Sequence, residues 1–427
     1  MAQSSLNLPK ITAIKGSVTL PGSKSLTNRA LLCAALSRGS TRLMNALDSD
    51  DTRRMLEALA LLGVKISRQG GALLVSGLGG PFDGGLDKKV LDLGNAGTAM
   101  RPLCAALCFS RGVFELTGEP RMCERPIGPL VQALKSAGGK IGYTNNAGFP
   151  PVVIRGSTPH SHEVTVDGSL SSQFLSALLL AAPLAGGLKV KVTGDLISKP
   201  YVDLTCALLK KFGATIKRRG YSEFEVSGGI YEAPGTYLIE GDASAATYFA
   251  AAAAVAGEVV IRGLGEDSVQ GDYRFLEVLE RMGARVERGE DYVKVSKAPQ
   301  LSGIDIDMNA MPDAAMTLVP LCLYTKGPVT IRNIASWRVK ETDRLDAMAT
   351  EMRKLGVLVD CGNDYISLNA AIRNQETPRF ATYNDHRMAM CLSLCALERD
   401  IVIENPECVS KTFPRYFEEF AAVAVTA

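Results

Sequence analysis

Aromatic residues make up only 6% of the 427 residues, and tryptophan occurs once. So sparse a set offers no platform for stacking single-stranded nucleic acid. An excess of one charge is missing too: 47 Lys and Arg face 45 Asp and Glu, with a formal net charge of +2. The basic residues sit in short motifs rather than runs, so no nucleic-acid surface is expected. Histidine occurs three times. His160-Ser161-His162 lies in a polar, proline-containing stretch that reads as loop, so no metal site is expected. The ten cysteines show no Cys-x-x-Cys spacing; Cys104/Cys108 and Cys391/Cys395 fall four apart in apolar helical segments, where thiols act as small hydrophobes. With no secretory leader read at the start, reduced thiols and a cytoplasmic location are expected. No apolar run reaches membrane-spanning length, so no membrane partner is expected, and the chain is read as a monomer.

What the chain does have is length, apolar residues and repetition. At 427 residues and 46% hydrophobic it can fill two cores. One module recurs five times: an amphipathic helix, a glycine stop, then an alternating strand pattern. The stops are Gly63, Gly138, Gly213, Gly283 and Gly356, separated by 75, 75, 70 and 73 residues. Glycine suits the left-handed position just beyond a helix. A second module is interleaved with the first, an almost wholly apolar helix followed by a strand. Its copies start near Asn28, Thr98, Ser172, Ala245, Ala314 and His386, with strands expected at 41–47, 112–117, 188–192, 258–261, 328–331 and 400–403. A helix apolar all round is a buried one. Six tandem αβ units predict an α/β (α+β) protein in layers.

The last unit breaks off without glycine stop or hairpin, whereas strand-like segments at 5–14 and 16–20 precede the first. These are read as completing the sixth unit. Two similar three-unit domains follow, residues 21–240 and residues 1–20 plus 241–427, joined by two chain crossings near 20–21 and 240–242. An elongated solenoid is the weaker reading, because units this long rarely stack linearly.

Chemistry concentrates where the buried helices begin. The entrances are Gly22-Ser23-Lys24-Ser25-Leu26-Thr27-Asn28-Arg29, Asn95-Ala96-Gly97-Thr98-Ala99-Met100-Arg101, Ser171-Ser172-Gln173, Gly241-Asp242-Ala243-Ser244, Met311-Pro312-Asp313 and Tyr383-Asn384-Asp385-His386-Arg387. Capping explains Ser, Asn, Thr and Asp at such places. It does not explain Lys24, Arg29, Arg101 and Arg387, since cations at a helix N-terminus oppose the dipole by roughly 0.3–1 kcal/mol each. Helix N-termini carrying extra cations suit an anionic ligand. Charged loops at 119–126, 337–344, 199–201 and 411–414 each read as solvated loop on their own. Their recurrence at matching ends of repeated units argues for a site.

Taken together, Leu20-Pro-Gly-Ser-Lys-Ser25, Leu93-Gly-Asn-Ala-Gly-Thr-Ala-Met-Arg-Pro102, Glu124-Arg-Pro-Ile127, Ser171-Ser-Gln-Phe174, Ser198-Lys-Pro-Tyr201, Pro312-Asp-Ala-Ala-Met316, Arg338-Val-Lys-Glu-Thr-Asp-Arg344 and Tyr383-Asn-Asp-His-Arg387 resemble the 5-enolpyruvylshikimate 3-phosphate synthase family, bacterial type, across the whole chain. The resemblance implies two domains of three βαβαββ units that close on ligand. It implies transfer of the enolpyruvyl group of phosphoenolpyruvate to the 5-hydroxyl of shikimate 3-phosphate, releasing phosphate through a tetrahedral intermediate, with no cofactor. Lys24, Gly97, Arg125, Gln173, Arg344, Arg387 and Lys411 would then surround phosphoenolpyruvate. Ser25, Arg29, Ser171, Ser172, Ser198, Tyr201, Asp313 and Lys340 would hold shikimate 3-phosphate, and Asn95, Thr98, Arg101, Ser336 and His386 would complete the substrate-binding set. Asp313 would take the hydroxyl proton, with Lys24 and Glu341 serving the methylene carbon. Gly97 and Pro102 match family members inhibited by glyphosate.

Two residues depart from the pattern: Ser336, where Asn is usual, and Cys123, where Lys is common. Cys123 beside Arg125-Pro126 keeps open a rival reading, UDP-N-acetylglucosamine enolpyruvyl transferase, which uses a loop cysteine near an Arg-Pro pair. A non-catalytic anion-binding protein is a third reading, disfavoured by the acid–base positions present.

Overall fold

The computed structural model describes residues 4–370 and 376–426. The chain divides into two compact units. The first is Gly22–Ile239, and the second joins Met1–Pro21 to Glu240–Ala427. Each has its own apolar core.

The first unit carries helices α1 (Lys24–Leu36), α2 (Asp50–Leu61), α3 (Gly97–Cys108), α4 (Gly128–Ser136), α5 (Ser172–Ala181) and α6 (Lys199–Lys211). Nearly every residue of α1, α3 and α5 is buried, as their all-round apolar sequences require. Helices α2, α4 and α6 keep one polar side and cover them. The second unit carries α7 (Ala243–Ala256), α8 (Phe275–Met282), α9 (Leu318–Leu321), α10 (Arg344–Arg353), α11 (His386–Leu392) and α12 (Tyr416–Val423). Only α7 is a long buried helix here. The fifth buried segment is a 3-10 turn, Ala314–Thr317, leading into the short α9, where Pro320 removes a backbone donor. The sixth, α11, tightens into the 3-10 turn Ser393–Leu397. The expectation of continuous helices from Ala314 and His386 is corrected accordingly.

Among the described residues there are six small sheets, and in five of them a parallel pair is extended by an antiparallel hairpin. Lys89–Asp92 runs parallel to Val113–Thr117, which pairs antiparallel with Val152–Arg155 and, through it, Lys140–Tyr143. Ends of the chain fill gaps in this scheme. Ser5–Leu8 pairs antiparallel with Ile401–Glu404 in the sixth sheet, but Ile11–Thr19 runs parallel to Gly257–Arg262 in the fourth. Only the first of the two N-terminal strands thus belongs to the sixth unit. Thr236–Leu238 in turn lies parallel to Ser40–Met44 and completes the first sheet.

The five stop glycines all adopt positive φ, from +77° at Gly356 to +113° at Gly283. Each lets the chain leave its helix in the left-handed turn that a Cβ disfavours.

Candidate active site

In the first unit, four helices are tied together by side chains. From α1, Asn28 Nδ2 donates to Thr98 Oγ1 of α3 at 2.7 Å. Arg29 Nε donates to Thr205 Oγ1 of α6 at 2.9 Å, and that hydroxyl donates on to Ser176 Oγ of α5 at 3.2 Å. Burial lowers the Arg29 guanidinium to about 10, so it stays charged at neutral pH. Lys24, at the first position of α1, is buried and faces Asp51 Oδ2 of α2 at 3.3 Å.

Arg125 and Arg101 converge on the start of α3. Arg125 Nη1 donates to both the carbonyl (3.0 Å) and the side-chain oxygen (2.9 Å) of Asn95. Arg101 Nη2 donates to the Pro126 carbonyl at 2.9 Å. Gly97 lies between them: a Cβ there would sit 2.8 Å from Arg101 Nη1 and 2.9 Å from Arg125 Nη2. The first residue of α3 is therefore glycine because two guanidinium groups occupy the space of a side chain.

These contacts correct one expectation. Asn95 and Thr98 do not cap α3, whose N-cap is Ala96 with no side-chain bond. Both polar groups are instead taken, Asn95 by Arg125 of the same repeat and Thr98 by Asn28 of the first. Ser171 does cap α5, accepting from the Gln173 N–H at 3.2 Å, with Ser172 buried and Gln173 half-buried beside it. Ser198 precedes α6 in the left-handed conformation, and Tyr201 lies half-buried in its first turn. Ser25 is half-buried next to Lys24, and its carbonyl accepts from Arg29 Nη1 at 3.0 Å. The loop at 119–126 sorts its charges: Arg121 and Glu124 form an exposed pair at 2.9 Å, while Arg125 is buried. Cations outnumber acids in this cluster, so its chemistry is anion binding.

In the second unit acids and cations alternate. Asp313 Oδ1 accepts from Arg344 Nη1 at 3.0 Å and its Oδ2 from Arg387 Nη2 at 3.0 Å, with Lys340 Nζ 3.5 Å away. Burial alone would raise this carboxyl, but Arg387, Lys340 and Arg344 outweigh it and hold it well below the usual carboxylate range. Arg344 also donates to Glu341 Oε2 at 3.0 Å and to Asp385 Oδ2 at 2.7 Å, and lies 1% exposed. Asp385 caps α11 by accepting from the Arg387 N–H at 2.9 Å, which points the backbone of His386 and Arg387. His386 is fully buried, with Nδ1 3.4 Å from Asp385. Arg387 Nη1 donates to Tyr248 Oη of α7 at 3.1 Å. Lys411 ends the 3-10 turn Pro406–Lys411 and is buried.

Asp313 does not cap the helix that follows it, since its carboxylate is spent on the cations. Its backbone is fixed from another loop: the buried Trp337 donates its indole N–H to the Pro312 carbonyl at 2.6 Å. Ser336, half-buried, precedes it in the turn Ala335–Val339. Arg338 separates from the cluster and pairs with Asp343 (2.8 Å) and Asp346 (3.2 Å).

Several participants were not singled out in the sequence. Asp51, Thr205 and Tyr248 each hold a predicted site residue, Lys24, Arg29 and Arg387 in turn, and none was marked by a motif. Asp272 is another. It is buried, accepts from the Ser244 hydroxyl, and is pushed up to about 6 by burial and by Asp313, against the Ser244 bond and Arg387. Cys123 is half-buried, and burial and Glu124 raise its thiol, which disfavours the reactive thiolate. Among the described residues no group of three or more His, Cys, Asp or Glu could hold a metal, and no helix is long and apolar enough to cross a membrane.

Known proteins match this chain throughout. The sequence profile of EPSP synthase (3-phosphoshikimate 1-carboxyvinyltransferase) matches residues 8–420. A 3-phosphoshikimate 1-carboxyvinyltransferase of Tolumonas auensis is 52% identical over 424 residues, 98% of this chain and 99% of that protein. Its counterpart from Photobacterium damsela subsp. piscicida is 53% identical over 419 residues, 97% and 98% of the two chains. Among solved structures, EPSP synthase from Acinetobacter baumannii superposes with a TM-score of 0.82 at 26% identity, covering 100% of this chain and 99% of that one. The enolpyruvyl transferase NikO from Streptomyces tendae shares the fold, with a TM-score of 0.78 at 18% identity over 99% of this chain and 98% of its own. A profile matched over residues 8–420 and half-identical relatives aligned over nearly their whole length leave one assignment: this chain belongs to the EPSP synthase family of enzymes, the 3-phosphoshikimate 1-carboxyvinyltransferases.

Proposed function

We propose that the clusters of the two units carry out the family's reaction here: transfer of the enolpyruvyl group from phosphoenolpyruvate to the 5-hydroxyl of shikimate 3-phosphate, with release of phosphate. The observation that carries this reading is Asp313, an ionised carboxylate fixed at 3.0 Å from each of two arginines in a chain that matches the family over 8–420.

Phosphoenolpyruvate is held by Lys24, Gly97, Arg125, Gln173, Arg344, Arg387 and Lys411, and shikimate 3-phosphate by Ser25, Arg29, Ser171, Ser172, Ser198, Tyr201, Asp313 and Lys340. Guanidinium groups suit carboxylate and phosphate because they donate in parallel pairs. Asp313 accepts the 5-hydroxyl proton as the oxygen attacks C2 of phosphoenolpyruvate. A carboxylate held low by three cations is a weak base. An anionic ligand that takes the Arg344 and Arg387 N–H groups withdraws part of that stabilisation and restores basicity as the substrate arrives. Lys24 and Glu341 serve the methylene carbon, which gains a proton on addition and loses one as phosphate departs.

The decisive assay follows phosphate release from phosphoenolpyruvate with shikimate 3-phosphate and UDP-N-acetylglucosamine as separate acceptors. Release only with shikimate 3-phosphate, lost in a folded Asp313→Asn protein, is expected. Release only with the nucleotide sugar would overturn the assignment and direct attention to Cys123.

A further inference from the structure

Glu351 has no part in the chemistry above, yet it is a carboxylate with no exposed surface, two helical turns after Arg344 on the same face of α10. Its partners explain its burial. Oε2 accepts from Lys354 Nζ at 2.6 Å and from the Ala381 N–H at 3.0 Å; Oε1 accepts from the Tyr383 hydroxyl at 2.8 Å. Lys354 Nζ also donates to the Arg379 carbonyl at 2.9 Å. All the bonds beyond Lys354 therefore reach one segment, residues 379–383, which leads directly into Asp385, His386 and Arg387.

That segment makes a tight turn. The Asp385 N–H donates to the Thr382 carbonyl at 2.9 Å, and the residues between them, Tyr383 and Asn384, both have φ of +54°. Two left-handed residues inside a hydrogen-bonded turn are normally Asn and Gly. Asn384 fits. Tyr383 does not, because a bulky side chain disfavours positive φ. A tyrosine is accounted for there by its hydroxyl, which reaches Glu351. Burial and that bond push the hydroxyl up to about 12, so at neutral pH it remains a donor.

We propose that Glu351 is a positioning residue: by clamping the Tyr383–Asn384 turn to α10, it fixes where Asp385 and Arg387 stand relative to Arg344 and Asp313. Both arginines come from the two elements that the clamp joins, one at the start of α10 and one in the first turn of α11. A loosened turn shifts the Asp385 cap, and with it both the Arg344 bridge and the Arg387 side chain. This inference rests on the proposed placing of phosphoenolpyruvate at Arg344 and Arg387.

The test compares Glu351→Ala, Glu351→Gln, Tyr383→Phe and the core control Leu355→Ala with wild type, in the full chain. Glu351→Ala is expected to raise KM for phosphoenolpyruvate about tenfold while KM for shikimate 3-phosphate stays within about twofold. Tyr383→Phe should give about a threefold rise, and Glu351→Gln, which keeps an acceptor for the Ala381 N–H, a comparable partial effect. Leu355→Ala should lower Tm with neither KM changed. Equal changes in both KM values, or a KM that simply follows Tm in all four proteins, would overturn the clamp. If Glu351→Ala fails to fold, Tyr383→Phe, which alters a surface side chain, carries the same test. Hydrogen exchange at 381–387 reads the clamp without any substrate: faster exchange confined to this segment in Tyr383→Phe supports it, and unchanged exchange refutes it. A wild-type enzyme inactive with shikimate 3-phosphate would overturn the functional reading and leave the exchange result to judge the clamp.

Discussion

Gly97 and Asp272 show how a single residue is fixed by the charges packed against it. A methyl group at Gly97 must displace Arg101 or Arg125, each less than 3 Å from it. Gly97→Ala is therefore expected to raise KM for phosphoenolpyruvate by about tenfold with little change in Tm, measured by steady-state kinetics and calorimetry. Asp272 bears on stability. Its carboxyl is pushed up to about 6 in the folded protein from an ordinary value of 3.8. As pH rises between these values the unfolded chain ionises while the folded one keeps its proton, so this group withdraws about 3 kcal/mol of stability, fully by pH 7. Denaturant titrations at pH 4 and 7 should show that Asp272→Asn abolishes this loss; an identical pH dependence in the variant would refute it. Asp313 has the opposite sign, since its depressed value adds stability that disappears only as pH falls through it. The motif residues at this scale were legible in sequence, because cations at helix entrances conflict with the dipole. Their partners were not. Nothing in the sequence near Asn95 says that its amide will serve Arg125 rather than cap its own helix, and nothing marks Glu351 among the ordinary charged residues of an amphipathic helix.

Elements were easier to read than residues, with one class of exception. Glycine stops and strand alternation locate most helices and sheets, since left-handed exits and period-two patterns leave local marks. The turns that end the first strand after each buried helix leave a weaker one. Asn45, Gly194, Gly263, Asn333 and Asn405 each follow such a strand and each adopts positive φ, from +54° at Asn405 to +88° at Gly263. In the second repeat the same place holds Gly118, where a Cβ would lie 2.2 Å from the Gly94 carbonyl oxygen. Positive φ at this place is thus met by Asn in three repeats and by Gly in two, which hides it from a search for glycine alone. Asn405→Ala should cost the second unit about 1–2 kcal/mol, whereas Asn405→Gly should lie within about 0.5 kcal/mol of wild type, by thermal melting. The broken fifth and sixth buried helices were illegible for a related reason: apolar composition predicts burial, and burial does not demand an unbroken α-helix.

At the scale of the whole molecule, two cores in two compact units predict two cooperative transitions. Removing residues 1–8 deletes the strand that borders Ile401–Glu404. Calorimetry should then show the second unit melting roughly 5 °C lower, with the transition of the first unit unmoved; a uniform shift would mean that the units unfold as one. The pairing of the first strand with one near the end also governs how the protein is made. Emerging from a ribosome at roughly 5–20 residues per second, Ser5–Leu8 waits on the order of 20–80 s for Ile401–Glu404 to be synthesised. The first unit is complete in contacts once Ile239 has been made. Nascent chains arrested midway through translation should therefore hold a protease-resistant first unit and an open N-terminal strand. That strand is the segment a chaperone has reason to shield during synthesis.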